Sequence, residues 1–233
     1  QKNVHLTAKI PTIDPIFMSM NFKKILYPVI ATALLSGFIL NKKIGEFDMT
    51  TDIGNPKLVG SSSYDKNAKT YTLKGSGYNI WFERDEFQFL YKELQGDFTM
   101  TADFEFVGVG KDPHRKVGWM IRESLYDNES HVSAVLHGDG LTVLQWRVAK
   151  GDKMRDPEDE IFSKEKDIQT VQLQRKGKEY TMWAAKKGGE LKIVGSHQMD
   201  NLPDKIIAGI FICSHNPDVL EEAKVKNLRI VKN

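Results

Sequence analysis

The sequence predicts an all-β antiparallel fold, a sandwich or a barrel, and three observations carry that expectation. From residue 57 onward, short runs of β-branched and aromatic residues are separated by glycine, aspartate and asparagine, and almost no segment holds a helical period. One run, residues 98–106, alternates strictly, with Phe98, Met100, Ala102, Phe104 and Phe106 on one face and Thr99, Thr101, Asp103 and Glu105 on the other. Tight-turn signals at Gly138-Asp139-Gly140, Lys176-Gly177 and Gly188-Gly189 then divide the chain into hairpins.

Taken in order, residues 1–19 hold no periodic pattern and read as an upstream extension. Met20-Asn21-Phe22-Lys23-Lys24, followed by the apolar residues 25–40 and then Lys42-Lys43, has the layout of a secretory signal or an N-terminal anchor over 20–43. The competing reading is a buried helix. Residues 44–56 read as a linker and 57–233 as the sandwich. Ser61-Ser62-Ser63 and Gly75-Ser76-Gly77 read as turns. Residues 131–137 pair with 141–148 across the first glycine turn, 171–175 with 179–185 across the second, and 179–185 with 191–197 across the third. Between them, 151–167 is a charged insertion expected as a solvated loop. Residues 206–214 are apolar almost throughout, as a strand covered on both faces should be, and 225–231 read as the closing strand.

Composition removes several function classes. The 233 residues carry a formal net charge of only +2 and no lysine-arginine block, so the electrostatic footprint of a nucleic-acid binder is missing. The single cysteine, Cys213, sits in an apolar run and reads as a buried structural thiol. No nucleophile elbow, phosphate-binding glycine loop or zinc-type histidine pair occurs, so no cofactor is expected. Asp112 and His114 lack a third ligand at a characteristic spacing, and no metal is assigned to them. A calcium held by backbone carbonyls would leave no sequence trace.

The stretches Gly77-Tyr78-Asn79-Ile80-Trp81-Phe82, Phe87-Gln88-Phe89-Leu90-Tyr91-Lys92, Gly96-Asp97-Phe98, Lys116-Val117-Gly118-Trp119-Met120-Ile121-Arg122 and His137-Gly138-Asp139-Gly140 carry a family resemblance. Over roughly residues 53–232 the chain resembles the concanavalin A-like lectin/glucanase domain of unknown function that occurs alone, C-terminal in bacterial β-xylosidases, and attached to TolB-like proteins. The resemblance implies a jelly-roll sandwich with a curved sheet, a surface that relatives use for carbohydrate, and no agreed active site.

Candidate ligand-binding residues follow from polar groups on strands that should run mid-sheet: Arg122, His137, Gln145 and Arg147, with Trp119 and Trp146 as stacking surfaces. His114 and Arg115, in the loop before the Trp119 strand, are expected at the rim of the same sheet. The competing reading makes both tryptophans core and Arg122 a buried, paired arginine. Candidate catalytic acids are weaker: Glu83 with Asp85, and Asp103 with Glu105, share strand faces without completing the set a glucanase needs.

The expected function is a non-catalytic carbohydrate-binding module of the cell envelope, exported to the periplasm or beyond, with a poly- or oligosaccharide as partner. Its contact with a membrane would run only through the N-terminal segment. The alternatives are a glycoside hydrolase of lectin-like fold, and a structural envelope domain that binds a protein partner.

Overall fold

The alternation of apolar and polar side chains resolves into sixteen strands in the computed structural model, which describes residues 43–233. The expected upstream extension and all but the last residue of the expected signal or anchor lie outside the described residues. Among the described residues, no helix is long and apolar enough to cross a membrane.

The strands form two seven-stranded sheets and a small hairpin, and every pairing is antiparallel. The first sheet runs in the spatial order β1 (Met49–Ile53), β6 (Phe87–Gln95), β15 (Lys205–Cys213), β8 (Lys116–Arg122), β9 (His131–His137), β10 (Thr142–Arg147) and β11 (Glu160–Phe162). The second runs β14 (Lys192–Gln198), β13 (Glu179–Lys186), β12 (Ile168–Lys176), β7 (Phe98–Phe106), β16 (Glu221–Lys232), β3 (Thr70–Gly75) and β2 (Ser61–Asp65). The hairpin pairs β4 (Ile80–Trp81) with β5 (Arg84–Asp85). The molecule is thus an all-β antiparallel jelly-roll sandwich: alternation and glycine turns predict the antiparallel strands, and the family resemblance implies the jelly roll.

All three glycine turns join the strands expected of them, β9 to β10, β12 to β13 and β13 to β14. Residues 98–106 form β7, with Phe98, Met100, Ala102 and Phe104 buried between the sheets. They meet Leu90, Trp119, Ile121, Ala134 and Ile210 from the first sheet. β15 is an interior strand covered on both faces, because Ile210 and Ile212 turn into the sandwich while Phe211 and Cys213 lie under a second apolar cluster outside it.

Four expectations are corrected. Residues 44–56 are not a spacer: they carry β1, and Phe47 is fully buried in the core against Tyr71. Ser61-Ser62-Ser63 is strand rather than turn, since β2 pairs along β3 from Ser61 to Asp65. The charged insertion is not wholly solvated, because Met154 and Asp159 are buried and residues 160–162 add β11 to the first sheet. The last strand is longer than expected and interior, held between β7 and β3 with a bulge between Lys226 and Arg229 that Asn227 turns with a φ of 50°.

Candidate functional site

Strand alternation decides which side chains lie on the outer face of the first sheet. The register aligns Lys116 with His137 and Cys213, Met120 with Ser133 and Gly209, and Arg122 with His131 and Ile207. Across β10, Gln145 lies beside Ser133 and Glu160, and Arg147 beside His131. Two glycines mark how tightly these strands approach: a Cβ at Gly118 would lie 2.0 Å from the Ala134 carbonyl oxygen, and one at Gly209 would lie 2.0 Å from that of Leu90.

The β4–β5 hairpin folds down over one end of this face. It delivers Asp85, with no exposed surface, between two arginines that are equally buried. Arg147 donates from Nη1 to Oδ2 and from Nη2 to Oδ1, both at 2.7 Å, and Arg122 Nη2 stands 3.6 Å from Oδ2. Arg147 also donates to the carbonyls of Phe82, Glu129 and Asp152, and Arg122 to that of Tyr126. His131 completes the group, its Nδ1 donating to the Glu129 carbonyl at 3.3 Å. Burial, then the charges of Arg147 and Arg122, hold its imidazole well below the ordinary histidine range, so it is neutral. Arg122 lies over the Phe87 ring at 5.3 Å.

Beside the hairpin the face stays open as a trough of about 400 Å³ lined by Asn79, Trp81, His114, Lys116, His137, Gln145, Asp156, Glu160, Phe162 and His215, among others. That volume lies in the range of small-ligand sites. Trp81 is half-buried and Phe162 is 43 % exposed, so both present ring surface at the walls. Gln145 donates to the Ile80 carbonyl at 3.2 Å, which fixes its amide at the floor. Lys116 donates to Asn79 Oδ1 at 2.8 Å and to the His114 carbonyl at 3.2 Å.

Three imidazoles gather at one end. The His114 ring lies 5.8 Å from that of His137 and 5.6 Å from that of His215, and His215 Nδ1 is 3.3 Å from Asp112 Oδ1. Burial and the charge of Lys116 pull His137 down to about 2, so it too is neutral, and neither of its ring nitrogens has a hydrogen-bond partner. On the β11 side, burial and a hydrogen bond with Asp156 push the Glu160 carboxyl up to about 7.

The structure brings some expected site residues together and separates others. His114, His137 and Gln145 line the trough. Arg122 and Arg147 share the same face but lie under the hairpin, engaged by Asp85. Trp119 and Trp146 do not share it, because a two-residue period turns Trp146 away from Gln145 and Arg147, and Trp119 away from Arg122. Trp119 is buried between the sheets, donating from Nε1 to the Val171 carbonyl at 3.1 Å. Trp146, 5 % exposed, stacks on His197 with ring centroids 3.7 Å apart. Arg115 turns inward as well, to Glu221 at 2.6 Å and over the Phe106 ring at 4.2 Å.

Among the candidate acids, Asp85 is fully engaged by arginine and Glu83 is exposed at the hairpin tip. Asp103 accepts from Thr170 and Asn227 on the second sheet, where it and Glu105 face away from the trough. Trp81, Asn79, Lys116, Asp156, Glu160, Phe162 and His215 are trough residues that sequence reasoning did not select. Lys116 had a signal, a lysine at the start of a strand whose next five residues, Val117 to Ile121, carry no polar side chain but the Trp119 indole.

No protein-family model matches the sequence, and comparison with curated proteins finds no match. Solved structures do match in fold. A functionally unknown protein from Saccharomyces cerevisiae is 15 % identical, with 82 % of this chain and 99 % of that chain covered, at a TM-score of 0.58. The Bacteroides ovatus xyloglucan-locus protein GH43B is 13 % identical, with 74 % of this chain but only 34 % of that chain covered, at 0.52. Alginate lyase A1-II' is 11 % identical, with 74 % and 83 % covered, at 0.51. These likenesses establish the sandwich.

Proposed function

We propose that this protein is a non-catalytic carbohydrate-binding module, exported to the cell envelope, whose ligand lies in the trough on the outer face of the first sheet. The observation that carries the reading is the composition of that trough. Two partly exposed aromatic faces, Trp81 and Phe162, accompany hydrogen-bonding groups fixed on rigid strands, Lys116, His137, Gln145 and Glu160. An aromatic plane covers the apolar face of a pyranose, while the polar side chains meet its hydroxyls. The names of two fold neighbours, an alginate lyase and a xyloglucan-locus protein, support the reading by analogy of fold only. So does the resemblance to the concanavalin A-like domain of unknown function.

The test is retention of the protein on immobilised or gel-embedded polysaccharides, with Trp81→Ala beside the wild type. Retention of the wild type by at least one polymer, weakened in the variant, is the expected result. Passage of the wild type through the whole panel unretarded would remove the reading.

One observation favours a second reading, a sugar-cleaving enzyme. Glu160, pushed up to about 7 beside Asp156, stands in the trough, and a carboxyl poised near neutrality can deliver a proton to a leaving oxygen. Release of new chain ends from a retained polymer, abolished in Glu160→Gln, would replace the binding-module reading with this one.

A further inference from the structure

Lys116 stands out among the trough residues for its charge. It is 5 % exposed, yet both hydrogen bonds from its ammonium go to neutral acceptors, Asn79 Oδ1 and the His114 carbonyl. Among the described residues no carboxylate lies within 4.0 Å of it. Buried lysines are ordinarily paired, because an ammonium withdrawn from water loses hydration that only an opposite charge restores. Its cross-strand neighbours supply none: His137 is held neutral, and burial pushes the Cys213 thiol up to about 11. The carboxylates that act on it, Asp112, Asp139 and Glu160, do so from beyond contact. Desolvation accordingly pulls the ammonium below its ordinary range.

Resting on the carbohydrate reading, we infer that the trough takes an acidic sugar, with Lys116 as the seat of its carboxylate or sulfate group. The ligand's anion supplies the counter-charge that the fold withholds, and it meets His114 and His215, which line the same end. The acid at this end, Asp112, is engaged by His215 at 3.3 Å and lies beyond contact with Lys116. Glu160 lies on β11, three strands from β8 in the sheet order, and acts on Lys116 only from beyond contact. There its carboxyl shares a hydrogen bond with Asp156, which suits the hydroxyls of the sugar rather than its anion.

The experiment compares full-length protein on polygalacturonate, on the same polymer after reduction of its carboxyl groups, on a sulfated glucan and on its unsulfated parent, at physiological salt. At least tenfold tighter binding to one acidic polymer than to its neutral partner is expected. Whichever acidic polymer is preferred identifies carboxylate or sulfate as the anion. Lys116→Met should bring the two members of that pair to within about twofold of each other. Because Lys116 also holds Asn79, His114→Gln, at an exposed position, provides a second variant and should narrow the preference.

Equal binding of acidic and neutral partners, both weakened by Trp81→Ala, would overturn the acidic-sugar inference and leave the carbohydrate reading in place. An acidic preference unchanged in a folded Lys116→Met protein would also overturn it. Binding to none of these or of the wider panel would remove both.

Discussion

Arg147 and Asp85 form a two-pronged ion pair with both contacts at 2.7 Å and neither side chain exposed, and that pair fastens the β4–β5 hairpin across the first sheet. The geometry is the fork-to-fork match that guanidinium and carboxylate make best. Without Asp85, Arg122 and Arg147 would be left buried with no carboxylate in contact. Asp85→Ala is therefore expected to cost about 3–5 kcal/mol, the usual penalty for stranding a buried charge. Urea denaturation measures it, and a loss under about 1 kcal/mol would mean that water reaches the arginines once the carboxylate is gone.

Gly209 makes a sharper packing test. A Cβ there would sit 2.0 Å from the Leu90 carbonyl oxygen and 2.7 Å from the Tyr91 Cα, both backbone atoms of the paired strand that cannot swing aside. Gly209→Ala should lower stability by about 1–3 kcal/mol through forced displacement of β6 from β15. An unchanged melting temperature would show that the two strands separate more easily than their close pairing indicates.

The two kinds of aromatic residue should part company on mutation. Trp119→Ala opens a cavity between the sheets and is expected to cost about 3–5 kcal/mol. Phe162→Ala, at a half-exposed wall, should change stability by less than about 0.5 kcal/mol. Polysaccharide retention should behave the other way round, with Phe162→Ala weakening it severalfold and the folded fraction of Trp119→Ala keeping it. Retention unaffected by Phe162→Ala would take that ring out of the binding surface.

The histidine at position 137 predicts a pH dependence whose sign is set by its depressed folded-state value. Its imidazole titrates near 2 in the folded chain against 6.5 when unfolded, so between those values the unfolded chain binds the extra proton. Stability falls as pH drops through that window, by up to about 1.4 kcal/mol per unit. Glu160 acts oppositely between about 7 and 4.5, where the folded chain holds the extra proton and stability rises on acidification. His137→Gln should therefore flatten the decline most clearly below about pH 4.5. Glu160→Gln should steepen it above that value. Parallel curves for wild type and His137→Gln would show that the residue is protonated in the folded state.

Much of the fold was legible because β-structure writes its periodicity locally. The strict alternation of 98–106 identified β7 and its buried face, and three glycine turns identified which strands meet. The same rule, carried one step further, would have separated Trp146 from Gln145 and Trp119 from Arg122, since odd spacings on a strand point to opposite faces. The errors lay where local chemistry is ambiguous. Three consecutive serines look like a turn unless β3 is there to pair with them, and a charged insertion looks solvated unless β10 offers an edge for residues 160–162.

By itself the sequence determined the sandwich, the pairing of its glycine-turned hairpins, the burial of Cys213 and the placement of Arg122, His137, Gln145 and Arg147 on strands. Tertiary structure alone decided which of them meet solvent. Asp85 reaches Arg147 across 62 residues of chain, and Asn79 reaches Lys116 across 37. No local pattern encodes such a contact, because it depends on how a hairpin folds back over a sheet assembled from distant strands. That fold-back closes the arginine end of the face and leaves Lys116, buried without a carboxylate in contact, at the end that stays open.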